Sequence, residues 1–223
     1  MYVNRITFEK PRDCVISDDE LYKFNRITGY FEELVLNNLP KKVNLGGFGF
    51  FHNRLFSSAL GNDDIKAYGQ IIDFNHRSEN FNFDQFIKLS DQDKIIYLLK
   101  LFQKAINVIS EKYEIDKEKF SECIERSLIT GLSIEQKLKV SKYYKNRKIK
   151  VDIIRVIEPS EQTIKCRLLN DDNKLLAEFN IERNSTVYNA SYNFRKSSWR
   201  GTVLSIYDRF ERVYFTIDIN KYL

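Results

Sequence analysis

Proline and glycine are scarce in this chain, three and eight residues respectively out of 223. Flexible joints and low-complexity spacers are built from such residues, so their scarcity, with 43% apolar content, excludes long linkers and extended disorder. Cysteine is equally sparse: Cys14, Cys123 and Cys166 are odd in number and far apart. That spacing excludes a disulfide framework and the short Cys pairs of zinc or redox sites, and predicts reduced, partly buried thiols. Residues 1–10 alternate polar and apolar side chains and offer no apolar run of secretory length. Nothing elsewhere approaches the ~20 apolar residues of a membrane span. The expectation is a cytoplasmic protein without a membrane partner.

The chemistry-bearing side chains are few. His52 and His76 are the whole supply of imidazole, the group most often used for acid–base and metal chemistry. No serine, threonine or cysteine stands in a nucleophile motif, and no phosphate or dinucleotide fingerprint is present, so no cofactor is expected. Gly46, Gly47 and Gly49 surround Phe48, but Phe50 and Phe51 follow where a phosphate loop needs a helix and Lys-Ser/Thr. A β-bulge or tight strand connection is predicted there.

What the chain does have is aromatic weight and balanced charge. Phe and Tyr number 17 and 13, and 36 basic residues face 31 acidic ones, a net charge of +5. Abundant Lys, Ile, Asn, Phe and Tyr are residues with AT-rich codons and point to a bacterial or other microbial source.

The strongest periodic signal spans residues 90–113. Ile95, Leu98, Leu99, Phe102, Ala105, Ile106, Ile109 and Tyr113 share one helical face, and Ser90 with Asp93 caps the start. Ile96, Leu101 and Val108 widen that arc, so a core helix covered on more than one side is predicted. Before it, residues 3–10 read as a strand, and Ser17 with Glu20 opens a helix ending near Asn37, ahead of Pro40. Gly29 inside that helix costs about 1 kcal/mol against alanine. Strands are predicted over 43–56 and 66–74, and Asp116 opens a further helix ending at Gly131. Ser133 and Gln136 predict one more short helix.

From residue 148 onward period-two alternation dominates. Strands are predicted over 148–157, 163–169, 174–181, 186–194, 202–207 and 212–219, with polar turns at 170–173 and 208–211. The fold class is therefore α+β: a mixed strand and helix half, 1–132, with core helix 90–113, then an antiparallel half, 133–223, forming a meander or small sandwich of five or six strands. The 90–113 helix is the expected cover of that sheet, which would pack the halves as one unit.

Two segments stand out as recognition surfaces. Tyr188, Tyr192, Phe194, Arg195, Lys196, Trp199 and Arg200 combine the residue types that anchor protein interfaces, with Trp199 placed in the loop KSSWRG either as an exposed anchor or folded back on the sheet. The second segment is basic: Lys137, Lys139, Lys142, Lys145, Arg147, Lys148 and Lys150, with Tyr143 and Tyr144 between them. It reads either as a phosphate-neutralising, base-stacking strip or as a solvated helix end running into a lysine-protected edge strand. Asp73, His76 and His52 form a looser grouping for nuclease-like or metal chemistry. The adjacent acids Glu32 and Glu33, Asp63 and Asp64, and Asp171 and Asp172 diverge on any regular backbone and read as surface or turn residues.

The functional expectation is a non-enzymatic protein-binding module. Its most concrete form is an immunity- or antitoxin-like inhibitor that meets a toxin or effector through a sheet face and loops, the partner-binding residues being Tyr188, Tyr192, Arg195, Trp199 and Arg200. The alternative is a nucleic-acid binder using residues 137–150, and the third reading is a hydrolase or nuclease.

Overall fold

Two capped helices and a layer of phenylalanines organise the first part of the chain. Ser17 Oγ accepts a hydrogen bond from the N–H of Glu20, whose carboxylate accepts one from the N–H of Ser17, and this capping box opens α1, Asp18–Asn38. Ser90 caps α3, Asp91–Ser110, its side chain accepting from the N–H of Asp93 at 3.1 Å. The computed structural model describes residues 3–11, 14–40, 43–55, 64–77, 81–144, 148–184 and 192–223. Among them the chain divides into two compact units, Met1–Leu132 and Ser133–Leu223.

In the first unit β1 (Arg5–Glu9), β2 (Phe50–Leu55), β3 (Asp64–Tyr68) and β4 (Ile71–His76) form one sheet in the order β1-β2-β4-β3. The β1/β2 and β2/β4 pairs are parallel and the β3/β4 pair is antiparallel. Helices α2 (Phe83–Lys88) and α4 (Lys117–Ile129) complete the unit. Ile6, Phe51, Ile72 and Phe74 are buried on the sheet. Phe102 of α3 is the centre of the core, with ring centroids 5.7 Å from Phe31 of α1, 5.7 Å from Phe51 of β2 and 5.8 Å from Phe120 of α4. The wide apolar arc of α3 is thus spent within its own unit.

One strand expected over 66–74 is two, because Gly69 at φ +55° turns the chain between β3 and β4. The glycines ahead of β2 make a tight turn closed by a Leu45–Phe48 bridge; a Cβ on Gly46 would lie 2.8 Å from the carbonyl oxygen of Glu114, so only glycine fits.

The second unit holds β5 (Ile134–Lys137), β6 (Lys142–Tyr144), β7 (Ile149–Ile157), β8 (Gln162–Leu169) and β9 (Leu175–Asn184) in one antiparallel sheet, and β10 (Lys196–Arg200), β11 (Val203–Tyr207) and β12 (Val213–Asp218) in another. Val151, Ile153, Ile164, Cys166 and Leu168 of the larger sheet share one buried cluster with Leu204, Ile206 and Ile217 of the smaller. Within the second unit this smaller sheet covers the buried face of the larger one. The helix expected at Ser133 is strand β5, since a single turn is not self-supporting while Ile134 to Lys137 find backbone partners along β7. Most of the strand expected over 186–194 lies outside the described residues; Tyr192 and Asn193 form a tight turn.

Candidate protein-binding surface

The hairpin between β11 and β12 is built around one carboxylate. Asp208 Oδ1 accepts from the backbone N–H of Phe210 at 2.8 Å and of Arg212 at 3.0 Å, and Oδ2 accepts from Arg212 Nε at 2.8 Å. The backbone N–H of Asp208 donates to the Arg212 carbonyl at 3.0 Å, and Glu211 takes the left-handed conformation at φ +60°. Burial pushes the Asp208 carboxyl up, but the hydrogen bonds from the Arg212 side chain and from the Arg212 and Phe210 N–H groups outweigh it and hold the group below its ordinary 3.8. Aspartate in this position ties a turn to itself, so the loop is held in one shape before any partner arrives.

That shape presents Phe210 to solvent at 61% exposure. The guanidinium carbons of Arg209 and Arg212 lie 4.5 Å and 5.0 Å from its ring centre. Arg209 also lies 4.7 Å from the ring of Tyr192, itself 51% exposed, and its N–H donates to the Tyr192 carbonyl at 2.9 Å. Between these side chains and Asn193 lies a cavity of about 430 Å³. Val213 and Tyr214, at the start of β12, are exposed as well. Tyr214 packs against Phe194 at 5.3 Å and donates to Glu182 Oε2 at 2.9 Å; burial first and that carboxylate second push its hydroxyl up to about 12. Aromatic rings with stacked guanidinium groups are what desolvate well at protein interfaces.

Of the residues expected here, Tyr192 lies in the cluster and Tyr188 lies outside the described residues. Arg195 is exposed next to Tyr207, accepting no role in the core: its N–H donates to the Tyr207 carbonyl at 2.9 Å. Trp199 is not an exposed anchor. KSSWR is strand β10, paired with β11, and the indole packs inward with its ring centre 4.8 Å from that of Tyr144. Arg200, next along the strand, points to the opposite, solvent side. Sequence reasoning missed Arg209, Phe210 and Arg212, although a phenylalanine at the tip of a polar hairpin turn is a signal, since no turn geometry asks for one.

Three of the seven basic residues of the second segment meet an acidic partner where they stand. Asp152, 6% exposed, receives Lys137 and, at 3.4 Å, Lys150. Asp171 receives Lys148 at 3.2 Å and the Tyr143 hydroxyl at 2.6 Å. Tyr144 is committed to Trp199, Lys139 and Lys142 are exposed, and Lys145 and Arg147 lie outside the described residues. The remaining grouping is split by the pleat of the sheet. His52 and Asp73 are register partners on one face, where Arg54 Nε lies 2.9 Å from Asp73 and 3.3 Å from Glu9. Burial raises the Asp73 carboxyl, partly offset by Arg54. His76 faces the core with Nε2 on Asn53 Oδ1 at 2.5 Å. Among the described residues no three His, Cys, Asp or Glu side chains converge to hold a metal ion, and no helix is long and apolar enough to cross a membrane. Comparison of the chain with known protein families, curated proteins and solved structures yields no match to any of them.

Proposed function

We propose that this protein acts without catalysis by binding another protein, and that the Tyr192, Arg209, Phe210 and Arg212 cluster is the centre of the contact. The observation that supports this most is an exposed phenylalanine held between two guanidinium groups on a loop that Asp208 locks from within. A lone exposed ring is ordinary, but one joined to the exposed ring of Tyr192 through the Arg209 guanidinium on a rigid loop fits an anchor. Around it Arg212 is paired with Asp208 and Lys196 stands 3.9 Å from Glu211, while Arg209 stacks on the rings and Arg195 is exposed, so the partner surface it suits is apolar at its centre with an acidic group set to meet Arg209. An immunity- or antitoxin-like inhibitor of a toxin or effector is the concrete form of this reading. Nucleic-acid binding through residues 137–150 is less favoured, because Asp152 and Asp171 already occupy Lys137, Lys148 and Lys150.

Titration calorimetry against the cognate partner, recovered by co-purification from the native cell, tests the proposal. Phe210→Ala is expected to weaken binding by about 2 kcal/mol, roughly thirtyfold, because central aromatic anchors carry energies of that size. Its stability should stay within about 0.5 kcal/mol of wild type, as for other surface positions. Unchanged affinity in Phe210→Ala and Arg209→Ala together would refute the assignment.

A further inference from the structure

The free edge of β1 is complementary to itself. In the parallel pair with β2, the N–H of Arg5 donates to the Gly49 carbonyl, so Arg5, Thr7 and Glu9 turn their backbone groups toward β2. Ile6 and Phe8, one step out of phase, turn theirs toward the outside, where no strand pairs with β1 among the described residues. The edge borders a cavity of about 470 Å³ between β1 and the Asn25, Thr28, Gly29 and Glu32 side of α1. Among the described residues Glu32 guards it, its Oε1 accepting from the Ile6 N–H at 3.0 Å while standing 3.8 Å from Arg5. An edge strand with a single side chain as its guard is open to pairing.

We propose that the occupant of this edge is a second copy of the chain, paired antiparallel through β1 about a two-fold axis at Thr7. The sequence RITFE is what makes the fit. With Thr7 opposite Thr7 of the second copy, Ile6 stands opposite Phe8 of that copy, and those are the residues whose backbone groups face outward. On the solvent face the same register sets Arg5 opposite Glu9 of the second copy, twice over by symmetry. A shift by a single residue would turn the outward backbone groups away from one another, so register and charge agree on one arrangement. Both α1 helices then flank the new seam on the same face of a continuous sheet. There Gly29, whose added Cβ would meet nothing within 4 Å, leaves room for the neighbour, which accounts for a glycine inside α1. The charged groups around the seam are Arg5, Glu9, Glu32, His52 and Arg54, the last 3.3 Å from Glu9, which it shares with Arg5 of the second copy, and Glu32 must leave the Ile6 N–H for the strands to pair.

Sedimentation velocity of the full chain, from low micromolar to about 0.5 mM, tests this directly. Wild type should show a monomer–dimer equilibrium within that range. Arg5→Glu and Glu9→Arg, each confirmed folded by circular dichroism, should each be monomeric, since like charges then face across the seam. Mixing the two should restore a dimer, because every opposed pair becomes Glu with Arg. Glu32→Ala should associate about tenfold more tightly than wild type, as the Ile6 N–H no longer has an internal acceptor. A wild-type monomer at the highest concentration would overturn the proposal. So would dimers that survive both charge reversals, a mixture that does not associate, or, should the reversals fail to fold, no tightening in Glu32→Ala.

Discussion

Trp199→Ala separates a packing role from a binding role. The indole is half-buried against the second unit's core and in ring contact with Tyr144, and its Nε1 is buried with no hydrogen-bond partner among the described residues. Full truncation of a buried tryptophan costs about 3–5 kcal/mol, of which a half-buried ring forfeits about half. Loss of the aromatic pair adds roughly 0.5–1.5 kcal/mol, and relief of the orphaned N–H returns about 1 kcal/mol or more. The expected net loss is about 2 kcal/mol. Trp199→Phe keeps a ring against Tyr144 and deletes the unsatisfied donor, so its loss should stay below about 1 kcal/mol. Urea unfolding followed by far-ultraviolet circular dichroism measures both, and partner affinity should change little in either variant. A Trp199→Ala protein as stable as wild type, or Phe costing more than Ala, would refute the packing argument.

Two further outcomes follow from the charges and thiols. Arg167 holds Glu135 through hydrogen bonds at 2.8 Å and 2.9 Å and also binds Glu178, and these hydrogen bonds set both carboxyls below their ordinary 4.5. A depressed carboxylate contributes stability that is present above pH 4.5 and lost as pH falls through the lower folded value. Acid unfolding of the second unit, read by fluorescence of the sole tryptophan, should therefore be steeper in wild type than in Arg167→Met, and the difference should shrink with salt because both acids are partly exposed. Burial pushes the Cys123 and Cys166 thiols up to about 12, whereas Cys14 is only half-buried, so a thiol-reactive dye at pH 8 should label Cys14 first and the others only on unfolding.

Local physics wrote much of the fold plainly into the chain. The capping box at Ser17 and the serine cap at Ser90, the apolar arc of α3, the polar turn at 170–173 and the shift to period-two alternation were all legible, because each depends on residues a few positions apart. What was hidden depended on distant partners. β5 carries a helix-start signal that pairing with β7 overrides, and β10 has the serines of a loop yet finds β11. The Gly69 turn was masked by apolar residues on both sides, which continue the same alternation through β3 and β4. The packing of the smaller C-terminal sheet on the larger was hidden because an apolar helix and an apolar strand face advertise the same need for burial without naming what meets it. The candidate surface joins Tyr192 to Arg209, Phe210 and Arg212 across a gap in sequence, and the backbone bonds from Arg209 to Tyr192 and from Arg195 to Tyr207 bring the segments together.

A photoreactive phenylalanine analogue placed at position 210 tests the central claim most directly, with the same analogue at position 199 as the buried control. Irradiation in the native cell should join position 210 to one protein in good yield, and purified wild type, but not Phe210→Ala, should compete that product away. No cross-linked product at 210, or equal competition by Phe210→Ala, would contradict the account.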